Sequence, residues 1–140
     1  MHGVIFGEKH TYRDWGLVLQ SRPQISPPSP KYKMIQVPGS DRIIDLTQHL
    51  TGEVHYEPRE IKFEFALLAD RSRWASLHSE ILNYLHGKSI RIIFDDDPNY
   101  FYSGRVTVGD MGVAKETATL AMTATVEPYK RERHGEGRRL

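Results

Sequence analysis

Three consecutive aspartates, Asp95, Asp96 and Asp97, are the residues that most invite chemistry, because a hard cation needs several carboxylate oxygens converging on one point. Their spacing argues against it. In an extended chain Asp95 and Asp97 share a face while Asp96 opposes them, and no D-x-D-x-D-G loop with a distal glutamate follows. With Pro98 and Asn99 next in line, the aspartates read instead as a tight, exposed turn. Asp and Asn side chains bond to nearby backbone, and proline fixes φ while lacking an N–H. Seven histidines, at positions 2, 10, 49, 55, 78, 86 and 134, form neither an H-E-x-x-H pair nor a short zinc-like cluster. His78 and Glu80 lie two residues apart on a helical stretch and so point to different sides. The chain has no cysteine, which removes disulfides, thiolate nucleophiles and thiolate metal sites together. There is no G-x-S-x-G and no phosphate-cradling glycine loop. The expectation is a protein with no catalytic residues, no metal and no cofactor, and not an enzyme.

One binding constellation stands beside this. Tyr100, Phe101 and Tyr102 run into Gly104 and Arg105, a pattern that could stack single-stranded nucleic acid or sugar. Tyr100 and Tyr102 share the period-two face of Val106 and Val108, which assigns them to the core and leaves Phe101 and Arg105 to face a ligand.

The elements that must position these residues are mostly strands. Ile90, Ile92 and Phe94 alternate before the turn, and Tyr100, Tyr102, Val106 and Val108 after it, giving two neighbouring strands. Arg59 to Ala69 shows the cleanest alternation, with Ile61, Phe63, Phe65 and Leu67 against Lys62, Glu64 and Ala66. Lys115 to Val126 sets Ala118, Leu120, Met122, Ala124 and Val126 against a threonine face that is either solvated or turned to a subunit. Between them Trp74, Leu77, Ile81, Leu82 and Leu85 step by three and four, predicting the one convincing helix, from Arg71 to His86. Asp70 is its expected cap and Gly87 its C′ residue. Val4 and Phe6, then Tyr12 to Leu19, predict one or two N-terminal strands bent at glycines, with Trp15 and Leu17 inward. Tyr32 to Thr47 predicts a hairpin about Pro38-Gly39-Ser40-Asp41, and Gly109 to Gly112 a further turn. Gln48 to Pro58 is more polar.

Ser21 to Lys31 holds four prolines and three serines, so it can be neither a helix nor a central strand. It is a surface connection or an arm lying on a neighbouring subunit, with Ile25 as apolar anchor and proline lowering the entropy lost on docking. From Lys130 the tail has five basic and two acidic residues and no periodicity, and is expected to be disordered.

At 140 residues the chain is expected to form one domain with one core. A net charge of +1 with 26% charged residues gives no field strong enough to name a polyanionic partner. No segment approaches the ~20 apolar residues of a membrane helix, so no membrane anchor is expected.

Taken together, IQVPGSDRIIDLT, REIKFEFALLA, WASLHSEILNYLHGK, IRIIFDDDPNYFYSGRV and a closing ATVEPYK resemble the N-terminal, ring-forming domain of siphophage distal tail proteins, from about Gly3 to Lys130. The combination is fairly specific: a D-D-P-x-Y-x-Y-x-G-R-like string directly after a helix ending in Gly-Lys. The resemblance implies a mainly β (α+β) fold, a tail-tube-like β-sandwich or barrel flanked by one α-helix. It implies a single ring-forming domain over 1–130, with an arm at 21–33 whose Pro23, Ile25, Pro27, Pro28 and Pro30 touch the next subunit. The turn residues Asp95, Asp96, Asp97, Pro98, Tyr100, Tyr102, Gly104 and Arg105 then mark the fold rather than a site.

Functionally it implies a structural hub of a phage or prophage tail, assembled in the bacterial host cytoplasm and located in the virion. A homo-hexameric baseplate ring would join the tail tube to tail-tip proteins and leave a channel through which DNA passes without specific binding. Many members continue beyond the equivalent of Glu127 to Lys130 into a carbohydrate-binding domain. This chain is expected to be a ring-only version or a fragment, and that domain's attachment role is not carried over. The alternatives from other classes are a stand-alone carbohydrate-binding β-sandwich and an aspartate-metal hydrolase.

Overall fold

The computed structural model of this protein describes residues 3–32, 34–36, 38–39, 41, 43–45, 54–114 and 116–140, with only the backbone at 35 and 45. Its centre is the strand with the cleanest alternation. β7 (Arg59–Leu67) buries Ile61, Phe63, Phe65 and Leu67 and exposes Glu60, Lys62 and Glu64. β10 (Ala118–Val126) repeats the pattern and pairs with it antiparallel over eight positions, from Thr119 opposite Ala66 to Val126 opposite Arg59. On the other side of β10 lies β9 (Tyr100–Val113), then β8 (Ser89–Phe94), then β1 (Val4–Phe6) and β2 (Lys9–His10). β3 (Leu17–Leu19) and β4 (Gln24–Ile25) share the far edge of β7.

This sheet folds over on itself. Phe6 on β1 and Phe63 on β7 are separated by three intervening strands, yet their rings meet edge to face at 5.5 Å. Phe94 stacks on Phe63 at 5.8 Å. The two halves therefore face each other as a β-sandwich, with Val4, Ile61, Phe65, Ile92, Val106, Leu120 and Met122 between them. Each such side chain contributes roughly 1.5–3 kcal/mol by leaving water.

α2 (Trp74–Leu85) lays its predicted stripe, Trp74, Leu77, Ile81 and Leu85, into the core. Its ends are held by polar contacts. Trp74 Nε1 donates to Ala69 O at 2.8 Å, and Gly87, at φ +74°, turns the chain so that its N–H reaches Val106 O. Two histidines fix the helix on β9. The His78 ring lies 3.1 Å from Gly109 O, and His86 Nδ1 accepts from Val108 N–H.

Five expectations change. The Asp70 carboxylate makes no capping hydrogen bond, because the chain enters α2 through a 3₁₀ turn (Arg71–Arg73) in which Arg73 N–H bonds the Asp70 carbonyl instead. A second helix, α1 (Thr11–Trp15), replaces part of the expected N-terminal strand and ends at Gly16, φ +66°. Trp15 and Leu17 are buried as expected. Gly109 to Gly112 is no turn: β9 runs through to Val113, and Gly109 and Asp110 together oppose Ala121 in a β-bulge. A Cβ at Gly109 would sit 3.0 Å from Ala121 O, so the bulge position favours glycine. Tyr100 is only half-buried, whereas Tyr102 is in the core.

The basic tail, expected to be disordered, folds as a hairpin. β11 (Lys130–Glu132) pairs with β9 and with β12 (Arg138–Arg139).

The predicted hairpin about Pro38-Gly39 is present as a separate two-stranded sheet, β5 (Met34–Gln36) against β6 (Ile43–Asp45). Lys33, Ser40, His49, most of the polar stretch 48–58 and Lys115 lie outside the described residues, as does His2.

Candidate functional site

The turn between β8 and β9 assigns its aspartates separate partners. The Asp95 carboxylate accepts from Gly3 N–H at 2.8 Å and lies 2.9 Å from His10 Nε2. His10 is buried at the end of β2 and caps α1, its Nδ1 accepting from the N–H groups of Tyr12 and Arg13. That acceptor role places the ring proton on Nε2, which therefore donates to Asp95. Asp14 returns the favour to the cap by accepting His10 N–H at 2.7 Å. Burial pushes the Asp95 carboxyl up, but the hydrogen bonds from His10 and Gly3, with the positive charge of Arg13, hold it below its usual 3.8.

Asp97 instead pairs with Lys130 at 2.5 Å, reaching the tail hairpin. Asp96 is exposed, as is Pro98, whose carbonyl accepts from Arg133. Arg133 N–H bonds Asn99 O, so the turn and the tail hairpin clasp each other. Tyr100 lies under the cations of Lys130 and Arg139, at 4.9 and 5.7 Å from its ring centre. Gly104 is required by close approach, since a Cβ there would fall 2.1 Å from Thr125 O and 2.5 Å from Val126 Cα. Arg105 is exposed and donates to Gly87 O at 2.9 Å.

These positions do not converge on a reaction centre. Among the described residues no group of three His, Asp or Glu side chains could hold a metal ion. Nor is the aromatic platform open, because the Arg91 guanidinium already covers Phe101 at 4.6 Å and Tyr102 is buried.

The proline-rich arm is placed along this chain's own sheet edge. Gln24 and Ile25 pair with Lys62 and Ile61, Ser26 N–H bonds Glu60 O, and Pro30 bridges Tyr56. Pro28 is buried, Pro23 and Pro30 are half-buried, and Pro27 and Ile25 are exposed. The exposed apolar residues gather just beyond: Tyr32, Met34, Ile43 and Ile44 are 65, 51, 64 and 46% exposed, the last three on the β5–β6 hairpin. The His10–Asp95 lock was not anticipated, since a histidine ring as an N-cap has no short-range sequence pattern.

No protein-family model matches the chain, and no curated protein matches it. Among solved structures the chain is similar to the Dit protein (gp 19.1) of SPP1, at TM-score 0.66 and 18% identity, over 94% of this chain and 52% of that one. That structure is described as a paradigm of the hub adsorption apparatus in phages infecting Gram-positive bacteria, and this chain spans about half its length. The antiparallel sandwich with its one long helix is thus a fold shared with about half of SPP1 Dit, and the resemblance to distal tail proteins carried by the sequence is matched in three dimensions.

Proposed function

We propose that the protein is a structural, non-enzymatic hub component of a phage or prophage tail, located in the virion. The observation that carries this reading is the Dit-like fold over nearly the whole chain. In this reading six copies close a baseplate ring that joins the tail tube to tail-tip proteins and leaves a channel for DNA, through heterologous contacts whose rotation closes.

The β5–β6 hairpin supports an assembling role. A two-stranded sheet alone in water is marginal at best, yet this one leaves Met34, Ile43 and Ile44 largely exposed. Covering them with a neighbouring subunit would contribute about 3 kcal/mol per contact, from roughly half of a full side-chain burial each. The arm, whose Gln24 and Ile25 pair with β7, precedes this hairpin in the chain. A substitution pair, Met34→Asp with Ile43→Asp, should leave melting of the sandwich unchanged and abolish rings in negative stain. Rings of unchanged abundance in that variant would remove the hairpin from the assembly contact.

A further inference from the structure

The outward face of β8 and β9 carries a repeated pairing of arginine with serine. In strand register Ser89 stands opposite Arg105, and Arg91 opposite Ser103. Their neighbours Ile92, Tyr102 and Val106 are buried on the inner side, so the two Arg–Ser pairs share the outer one. Two adjoining hollows meet at the serines. One, of about 440 Å³, is lined by Glu8, Ser89, Arg91 and Ser103; the other, of about 500 Å³, adds Lys31, Arg105 and Thr125. They form one trough across the sheet.

Lys31, Arg91 and Arg105 make no ion pair among the described residues. Of the acidic groups lining the trough, Glu127 is engaged by Arg131 at 3.2 Å, which leaves Glu8 at the opposite end.

We propose that this trough binds a linear phosphodiester chain, each Arg–Ser pair taking one phosphate. The Arg91 guanidinium fork matches phosphate oxygens in two parallel hydrogen bonds, Arg105 has its remaining nitrogens beside the one that donates to Gly87 O, and each serine hydroxyl adds a further donor. The pairs are two residues apart along the strands, about 6.7 Å at a rise of roughly 3.3–3.4 Å per residue. Successive phosphates along one phosphodiester strand lie at a through-space separation of this order, larger than the roughly 3.4 Å rise per nucleotide measured along a duplex axis. The spacing therefore suits two successive phosphates of one linear chain. Phe101 is covered by Arg91, and Tyr56, the ring that lines the second hollow, packs edge to face against Tyr129 at 6.0 Å, so the chain is read chiefly through its phosphates. The inference stands independently of the ring.

Fluorescence anisotropy on the full chain tests it with three labelled probes of equal length: oligothymidylate, its abasic counterpart and poly-glutamate. The expected result is equal binding of the first two within about twofold, at least ~10-fold weaker binding of poly-glutamate, and a log–log salt slope near −1.4 for two phosphates at roughly −0.7 each. Arg91→Ala and Ser103→Ala should weaken binding with melting unchanged, and Arg91→Ala should reduce the slope by about 0.7. Poly-glutamate binding as tightly as the phosphodiesters, a marked preference for oligothymidylate over the abasic chain, an unaltered slope in Arg91→Ala, or no binding of any probe would each overturn the proposal.

Discussion

Replacing Asp95 by alanine removes two acceptors at once, from the buried His10 ring and from the buried Gly3 N–H. A hydrogen bond to a charged group is worth about 1.5–3 kcal/mol, and the donor left unsatisfied pays its own desolvation. With the Asp95 side chain 28% exposed, water replaces part of what is lost. Two bonds at the low end give about 3 kcal/mol for Asp95→Ala, a sizeable fraction of the 5–15 kcal/mol that holds a typical domain. Asp97→Ala is the internal control. It breaks one ion pair, to Lys130, between partly exposed side chains, and should cost under about 1 kcal/mol. Urea denaturation of both variants at neutral pH measures the difference as a midpoint shift at constant m-value. Equal costs for the two, or a cost below about 1 kcal/mol for Asp95→Ala, would refute the lock between the N-terminal segment and the turn.

The same residue sets a pH dependence. Its folded carboxyl titrates below the usual 3.8, so its contribution is complete above that value and is lost as pH falls through the lower folded one. The stability gap between wild type and Asp95→Ala should therefore be constant from neutral pH to about 4.5 and close below about 3.8; a gap already closing at pH 6 would contradict it. Gly104→Ala should cost more than about 3 kcal/mol, or prevent folding, because the new Cβ meets the β10 backbone. Gly112→Ala should cost under about 1 kcal/mol, because its Cβ meets only the Thr119 hydroxyl, which can rotate away; thermal melts of the two compare them directly. Ending the chain after Tyr129 should cost about 1–2 kcal/mol, through the uncovering of Tyr100 and loss of the Lys130–Asp97 pair. An unchanged melting temperature would mean that the tail hairpin adds nothing.

The parts of the fold legible in the sequence were those written in periodicity. β7 and β10 alternate strictly because each buries one face, and α2 shows its stripe because one side lies on the sheet. What stayed hidden was set by contacts distant in sequence. α1 is five residues long, too short for a periodic signal, and depends on a histidine ring as cap. The tail hairpin gains order from β9 and from the 97–99 turn, some 30 residues earlier, which composition cannot register. The Gly109–Gly112 segment carries turn residues, but with β10 paired on both sides of it the same glycine serves a bulge. Asp95 looked like its neighbours, and only the fold brings Gly3 and His10 to it.

The proposed assembly is a six-membered ring of this fold. Native mass spectrometry of the full chain over a wide concentration range tests it most directly. A species of about 97 kDa, six times the 16.1 kDa chain, is expected to grow with concentration. The 16.1 kDa species alone at every concentration, with no closed ring in negative stain of the same samples, would contradict it.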